Sequence, residues 1–233
     1  MIRLYNVLLL FFLSVSVFGQ KADHGLWNAF LQTYVSKEGL VNYKSIQSNP
    51  EHLNTYLNTI TKTPPQSHWT KQETLAYWVN AYNAFTIKLI IDNYPLNSIK
   101  DIKNPWDKKF ITIKNKTLSL NQIEHDILRN MNEPRIHFAI VCASMSCPKL
   151  YNEAYNAKNL EAQLNKAAKH FLNDTTKNKI TKNKLELSKL FKWFSSDFKQ
   201  NGKLVDFLKQ YSDIDISKKA KITYKDYNWN LNE

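Results

Sequence analysis

Residues 71–94 constrain the fold of this 233-residue chain more than any other stretch. Leu75, Trp78, Val79, Tyr82, Phe85, Ile87, Leu89 and Ile90 recur at helical spacing and cover most of the circumference. A helix that is apolar almost all round is buried on most sides, so the rest of the chain must wrap around it. Pro95 then ends the helix. Aromatic residues make up 13% of the chain and hydrophobic residues 43%, enough to build a core on that axis. This excludes disorder and a coiled coil as descriptions of the whole.

The flanking segments supply the wrapping. Trp27, Phe30, Leu31 and Tyr34 form one amphipathic helix, and Leu53, Tyr56, Leu57 and Ile60 another that Pro64-Pro65 breaks. Residues 110–120 alternate about Lys114-Asn115-Lys116 and predict a hairpin. Ser119 and Gln122 stand in capping-box spacing and predict a short helix to Met131. Residues 135–142 (RIHFAIVC) are apolar on both faces except for His137 and predict a buried strand. A helix over 159–172, a polar Lys-rich loop over 177–184, short aromatic-rich helices over 187–198 and 204–211, and a terminal strand or tail over 222–231 complete the reading. The expectation is one compact, helix-rich α+β domain over residues 20–233, with a small sheet containing strand 135–142.

Residues 1–19 stand apart. Arg3 precedes a 12-residue run at 7–18 that is apolar apart from two serines, and Gly19 precedes Gln20. This pattern predicts a secretory signal peptide cleaved after Gly19. The run is too short to span a hydrocarbon core that needs ~20 residues, so no transmembrane anchor is expected after processing. With no cysteine near the cleavage site, a lipid anchor is not expected either. The expected location is secreted or periplasmic.

The net charge of +12 favours anionic surfaces. In an exported protein that points to the cell envelope, with an envelope or small-molecule ligand as partner and no nucleic acid. The chain holds only four glycines, no two of them close. A P-loop and a dinucleotide-binding turn are therefore not expected, and neither is a cofactor. Oligomeric state is not legible.

Three features carry candidate chemistry. Asn80 and Asn83 share one face in the middle of the long apolar helix, where they either stitch loop backbone or hold a substrate. Glu124 and His125 lie in the short helix, where neighbours point about 100° apart, so at least one should face inward. His137 is the lone histidine in the apolar run, followed by Cys142, Ser144, Ser146, Cys147 and Pro148. A thiolate beside an imidazole would be an activated nucleophile. Outside the cytoplasm the two cysteines can equally form a disulfide. A metal site on His125, His137 and Cys147 lacks local ligand spacing, so no metal is expected.

The segments YWVNAYNAFTIKLIIDNYP, SLNQIEHDILR, EPRIHFAIVCASMSCPKL and DYNWNL together resemble the domain of unknown function 547 family, from about Trp27 to Leu231. The resemblance implies an exported bacterial protein for many members and assigns no activity. The polar positions that match are Asn80, Asn83, Glu124, His125, His137, Ser146 and Cys147. The Ser-Cys-Pro turn varies at its Cys in some branches of that family, which raises Ser146 or a binding role beside a Cys nucleophile.

The functional expectation is an envelope hydrolase or acyltransferase on amide or thioester bonds. Cys147 is the expected nucleophile, His137 the base, and Glu124 or His125 the orienting group. Asn80, Asn83 and Ser146 are the expected substrate-binding residues. The alternative is a non-catalytic ligand-binding or structural module.

Overall fold

A computed structural model describes residues 22–233. The signal-like segment at 1–19 lies outside the described residues. The central element is the long helix α4 (Lys71–Ile91). Thr70 Oγ accepts from the Glu73 amide while Glu73 accepts from the Thr70 amide, a complete capping box at its start. From Leu75 to Ile91 every residue except Lys88 is buried. The all-round apolar pattern thus does what it predicts.

Three helices pack beside α4: α1 (Gly25–Tyr34), α2 (Tyr43–Ser48) and α3 (Glu51–Lys62). Trp27 stacks on both Phe30 and Tyr56, tying α1 to α3. The hairpin forms as expected from β1 (Ile111–Ile113) and β2 (Lys116–Leu118). Lys114 turns it with φ of 53°.

A second, smaller core gathers on α5 (Leu160–Asn173) and a three-stranded sheet. In that sheet β3 (Lys179–Ile180) pairs antiparallel with β4 (Lys184–Leu187), and β4 pairs parallel with β5 (Lys221–Tyr224). The Lys-rich stretch at 177–184 is therefore partly strand, its lysines facing water and Leu185 and Leu187 facing inward. Two short helices, α6 (Leu190–Trp193) and α7 (Leu204–Leu208), close this core with Phe191 and Leu208.

The two clusters meet at residues 134–142, which are not a strand. Pro134–Phe138 forms a 3-10 turn with Pro at its start, where a missing N–H costs nothing. Ile136 enters the first core and Phe138 the second, against Phe171, Phe191 and Phe198. The run is apolar on all sides because it lies between two cores. Fold class α+β stands, with both sheets elsewhere in the chain. Beyond β5 the chain continues as a strap, bridged through Asn230 to Ser98 and through Leu231 to Ser144. Among the described residues, no helix is long and apolar enough to cross a membrane.

Candidate functional site

A cavity of about 260 Å³ opens at the seam of the two cores. Its wall begins with the helix after the hairpin. Ser119 and Gln122 cap it reciprocally, as their spacing predicts. The turn that follows, Gln122–Leu128, is a π-helix, with the Arg129 amide donating to Glu124 O. Widening the turn lets neighbours that an α-helix would splay reach one wall, and both Glu124 and His125 line the cavity. Residues 129–131 finish as a 3-10 turn.

His137 enters from the seam and is 1% exposed. Its ring stacks on Phe194 with centroids 3.9 Å apart. His137 Nε2 lies 2.8 Å from Asp197 Oδ2. Asp197 is held by Arg129, whose Nε and Nη2 each donate to it at 2.7 Å. Burial works to raise the Asp197 carboxyl, but hydrogen bonds from Arg129, His137 and Ser196 hold it well below the usual range. It is therefore an anion and an acceptor. His137 itself is pushed down by burial, which the Asp197 bond opposes without cancelling, so the ring is neutral at pH 7. A neutral ring facing a carboxylate through Nε2 carries its proton there and leaves Nδ1 as a free base.

Nδ1 has no hydrogen-bond partner although it is buried. Across a 4.0 Å gap stands Glu124 Oε1. The other oxygen of Glu124 accepts from the Tyr82 hydroxyl at 3.1 Å. Burial pushes the Glu124 carboxyl up to about 7, against the pull of the Tyr82 hydroxyl and the Arg129 charge. The gap is too wide for a direct hydrogen bond, yet one oxygen can sit about 2.8 Å from both atoms. A carboxyl raised to about 7 and a neutral imidazole held below its ordinary value thus converge on a single point.

The sequence missed the orienting residue. Asp197, not Glu124 or His125, orients His137. It lies 60 positions downstream in an aromatic-rich stretch with no local pattern. His125 Nδ1 lies 3.0 Å from Arg129 Nη1, so His125 braces the guanidinium. The i,i+4 spacing of His125 and Arg129 was the available signal.

Cys147 lines the cavity, but its sulfur is joined to Cys142 in a disulfide. Of the two states expected of the pair, this is the disulfide, in which Cys147 carries no thiol. Asn80, Asn83 and Ser146 do not line the cavity. Asn80 exchanges two hydrogen bonds with the backbone of Tyr155, at 2.7 and 3.0 Å. Asn83 donates to Ala139 O and accepts from the Val141 amide, both at 2.9 Å. The Ser146 hydroxyl accepts from the Asn228 amide at 2.8 Å and pins the strap. Asn80 and Asn83 thus take the backbone-stitching role that was one of the two expected of them, their polar capacity used on backbone as buried polar groups require.

The mouth is aromatic. Trp193 packs on Tyr227, Tyr227 on Trp229 and Trp229 on Trp106, with centroids 4.6–5.7 Å apart. Trp193 is 47% exposed, which is unusual for so large an apolar ring. Among the described residues no cluster of His, Cys, Asp and Glu has the make-up of a metal site.

Fold and site together define an α+β domain with a buried acid–base pair in an aromatic-mouthed cavity. Residues 66–172, just under half of the chain, match the family described as "Protein of unknown function, DUF547", the family its motifs resemble. The matched stretch holds Tyr82, Glu124, His125, His137 and both cysteines, while Asp197 and the aromatic strap lie beyond it. No curated protein and no solved structure matches the chain.

Proposed function

We propose that the protein is an exported envelope enzyme of the hydrolase or acyltransferase kind, acting on an amide or thioester carbonyl in this cavity. The observation that carries the reading is the convergence of the unpaired His137 Nδ1 and Glu124 Oε1 across 4.0 Å. His137 takes a proton from the attacking group. Asp197 keeps the ring in the Nε2–H form and stabilises the cation that results. Glu124, when neutral, gives a proton to the leaving group. In the disulfide form the attacking group is a water held in the gap. Reduction frees the Cys147 thiol on the same wall, the nucleophile that its motif suggests. Export rests on the signal-like residues 1–19.

The test is a panel of aryl esters, acyl thioesters and acyl anilides offered to the mature protein, with and without reductant. Turnover is expected, and His137→Ala should lower kcat by roughly 10²–10⁴-fold, the usual worth of a general base. Equal rates for wild type and His137→Ala, or no turnover in either redox state, would overturn the reading. The aromatic mouth favours a second reading, a non-catalytic ligand-binding module. That reading predicts binding without turnover.

A further inference from the structure

Cys142 and Cys147 are not tucked into a core away from the chemistry. Both line the cavity, Cys142 half-buried and Cys147 buried. The surroundings of each sulfur suit a thiolate better than a disulfide. The hydroxyls of Ser144 and Tyr227 each lie 3.2 Å from Cys142 Sγ. The backbone amide of Cys142 donates to Cys147 Sγ at 2.7 Å. A disulfide sulfur is a weak acceptor, whereas a thiolate accepts strongly. Three donors thus face two atoms that use them fully only when reduced.

The loop between the cysteines is held from both sides. Asn83 fixes the backbone at 139 and 141. The strap accepts from the amides of Met145 and Ser146 through Asn230 O and Asn228 O. Ala143, fully buried between them, has φ of 56°, a left-handed conformation that alanine adopts only under constraint. None of these contacts needs the S–S bond. After reduction the two sulfurs remain face to face, ready to close again.

We propose that Cys142 and Cys147 are a redox-active pair that exchanges with small organic thiols entering the cavity. Cys142 is the more exposed of the two residues, and its sulfur is the one attacked. An incoming thiolate forms a bond to Cys142 Sγ, the Cys142–Cys147 bond breaks, and Cys147 leaves as a thiolate at the Cys142 amide and is then protonated. A second small thiolate attacks the mixed disulfide at the sulfur of the first, releasing their disulfide and the Cys142 thiolate. Two thiols lose two electrons and two protons, and the protein gains both. The exchange does not rest on the acid–base reading above.

The test places the native mature protein in glutathione buffers of graded ratio, quenches with an alkylating agent and weighs the products. Reversible two-electron conversion is expected, with tryptophan fluorescence changing as the pair is reduced in the cavity that Trp193 and Trp229 also line. Cys147→Ser should trap one glutathione on Cys142. Tyr227→Phe should slow exchange about tenfold, the loss of one hydrogen bond to a charged sulfur. A pair that stays oxidised in native protein at every ratio and is reduced only on unfolding would overturn the proposal. So would attachment of glutathione to Cys147 in a Cys142→Ser variant but none to Cys142 in Cys147→Ser. The wild-type titration stands alone should either variant fail to fold.

Discussion

At the scale of single residues, the site depends on keeping two titratable groups from satisfying each other. Asp197 draws the His137 proton to Nε2, so Nδ1 faces Glu124 as a base without a partner. Glu124 is 7% exposed and has one hydroxyl for company, so its charged form is disfavoured. A carboxyl raised from 4.5 to about 7 in the folded state makes its full contribution below pH 4.5. That contribution is lost as pH rises through 7, on the order of 3 kcal/mol at most. Denaturant melts across this range should show Glu124→Gln close to wild type at pH 4 and increasingly more stable than wild type towards pH 8. A constant difference at every pH would mean that Glu124 is not held in this way. None of this pairing is legible in the sequence, because Glu124, His137 and Asp197 come from three separated segments. What is legible is that a lone histidine in an apolar run and a Glu-His pair in a short helix are unusual.

At the scale of elements, periodicity foretold helices well and failed at the seam. The all-round apolar pattern of α4 and the capping pair at Ser119 have local causes, so the sequence shows them. Residues 135–142 carry the composition of a buried strand, but composition does not separate a strand from a turn lodged between two cores. No neighbouring strand is needed there because Asn83 does a strand's work. Its amide bonds the carbonyl of Ala139 and the N–H of Val141. Asn80 does the same for Tyr155. The π-turn that brings Glu124 and His125 to one wall leaves no mark in the residue pattern either. Truncating either asparagine to alanine leaves two buried backbone groups unpaired, so both variants should lose about 3 kcal/mol in denaturant melts. Asn83→Ala should also lower turnover, because residues 139–141 join His137 to Cys142. Asn80→Ala should keep kcat near wild type while folded. Equal effects of the two on kcat would mean that the seam does not position the site.

At the scale of the whole molecule, the cavity exists because two cores share one seam and the C-terminal strap closes over it. The first core supplies Tyr82 and Glu124, and the 134–138 turn supplies His137. The second core supplies Asp197 and Phe194, and the strap supplies Tyr227 and Trp229. The family match ends at residue 172, so the base lies within it and its orienting carboxylate beyond it. The central claim is that this assembly presents His137 Nδ1 as a neutral, unprotonated base at pH 7. Nitrogen-15 NMR of the imidazole reads this directly, with His137→Gln assigning the signal. The account predicts the neutral Nε2–H tautomer at pH 7, with a pyridine-type Nδ1 that persists below the pH at which an ordinary histidine is charged. A protonated Nδ1 at pH 7, as either the other tautomer or the imidazolium, would contradict it.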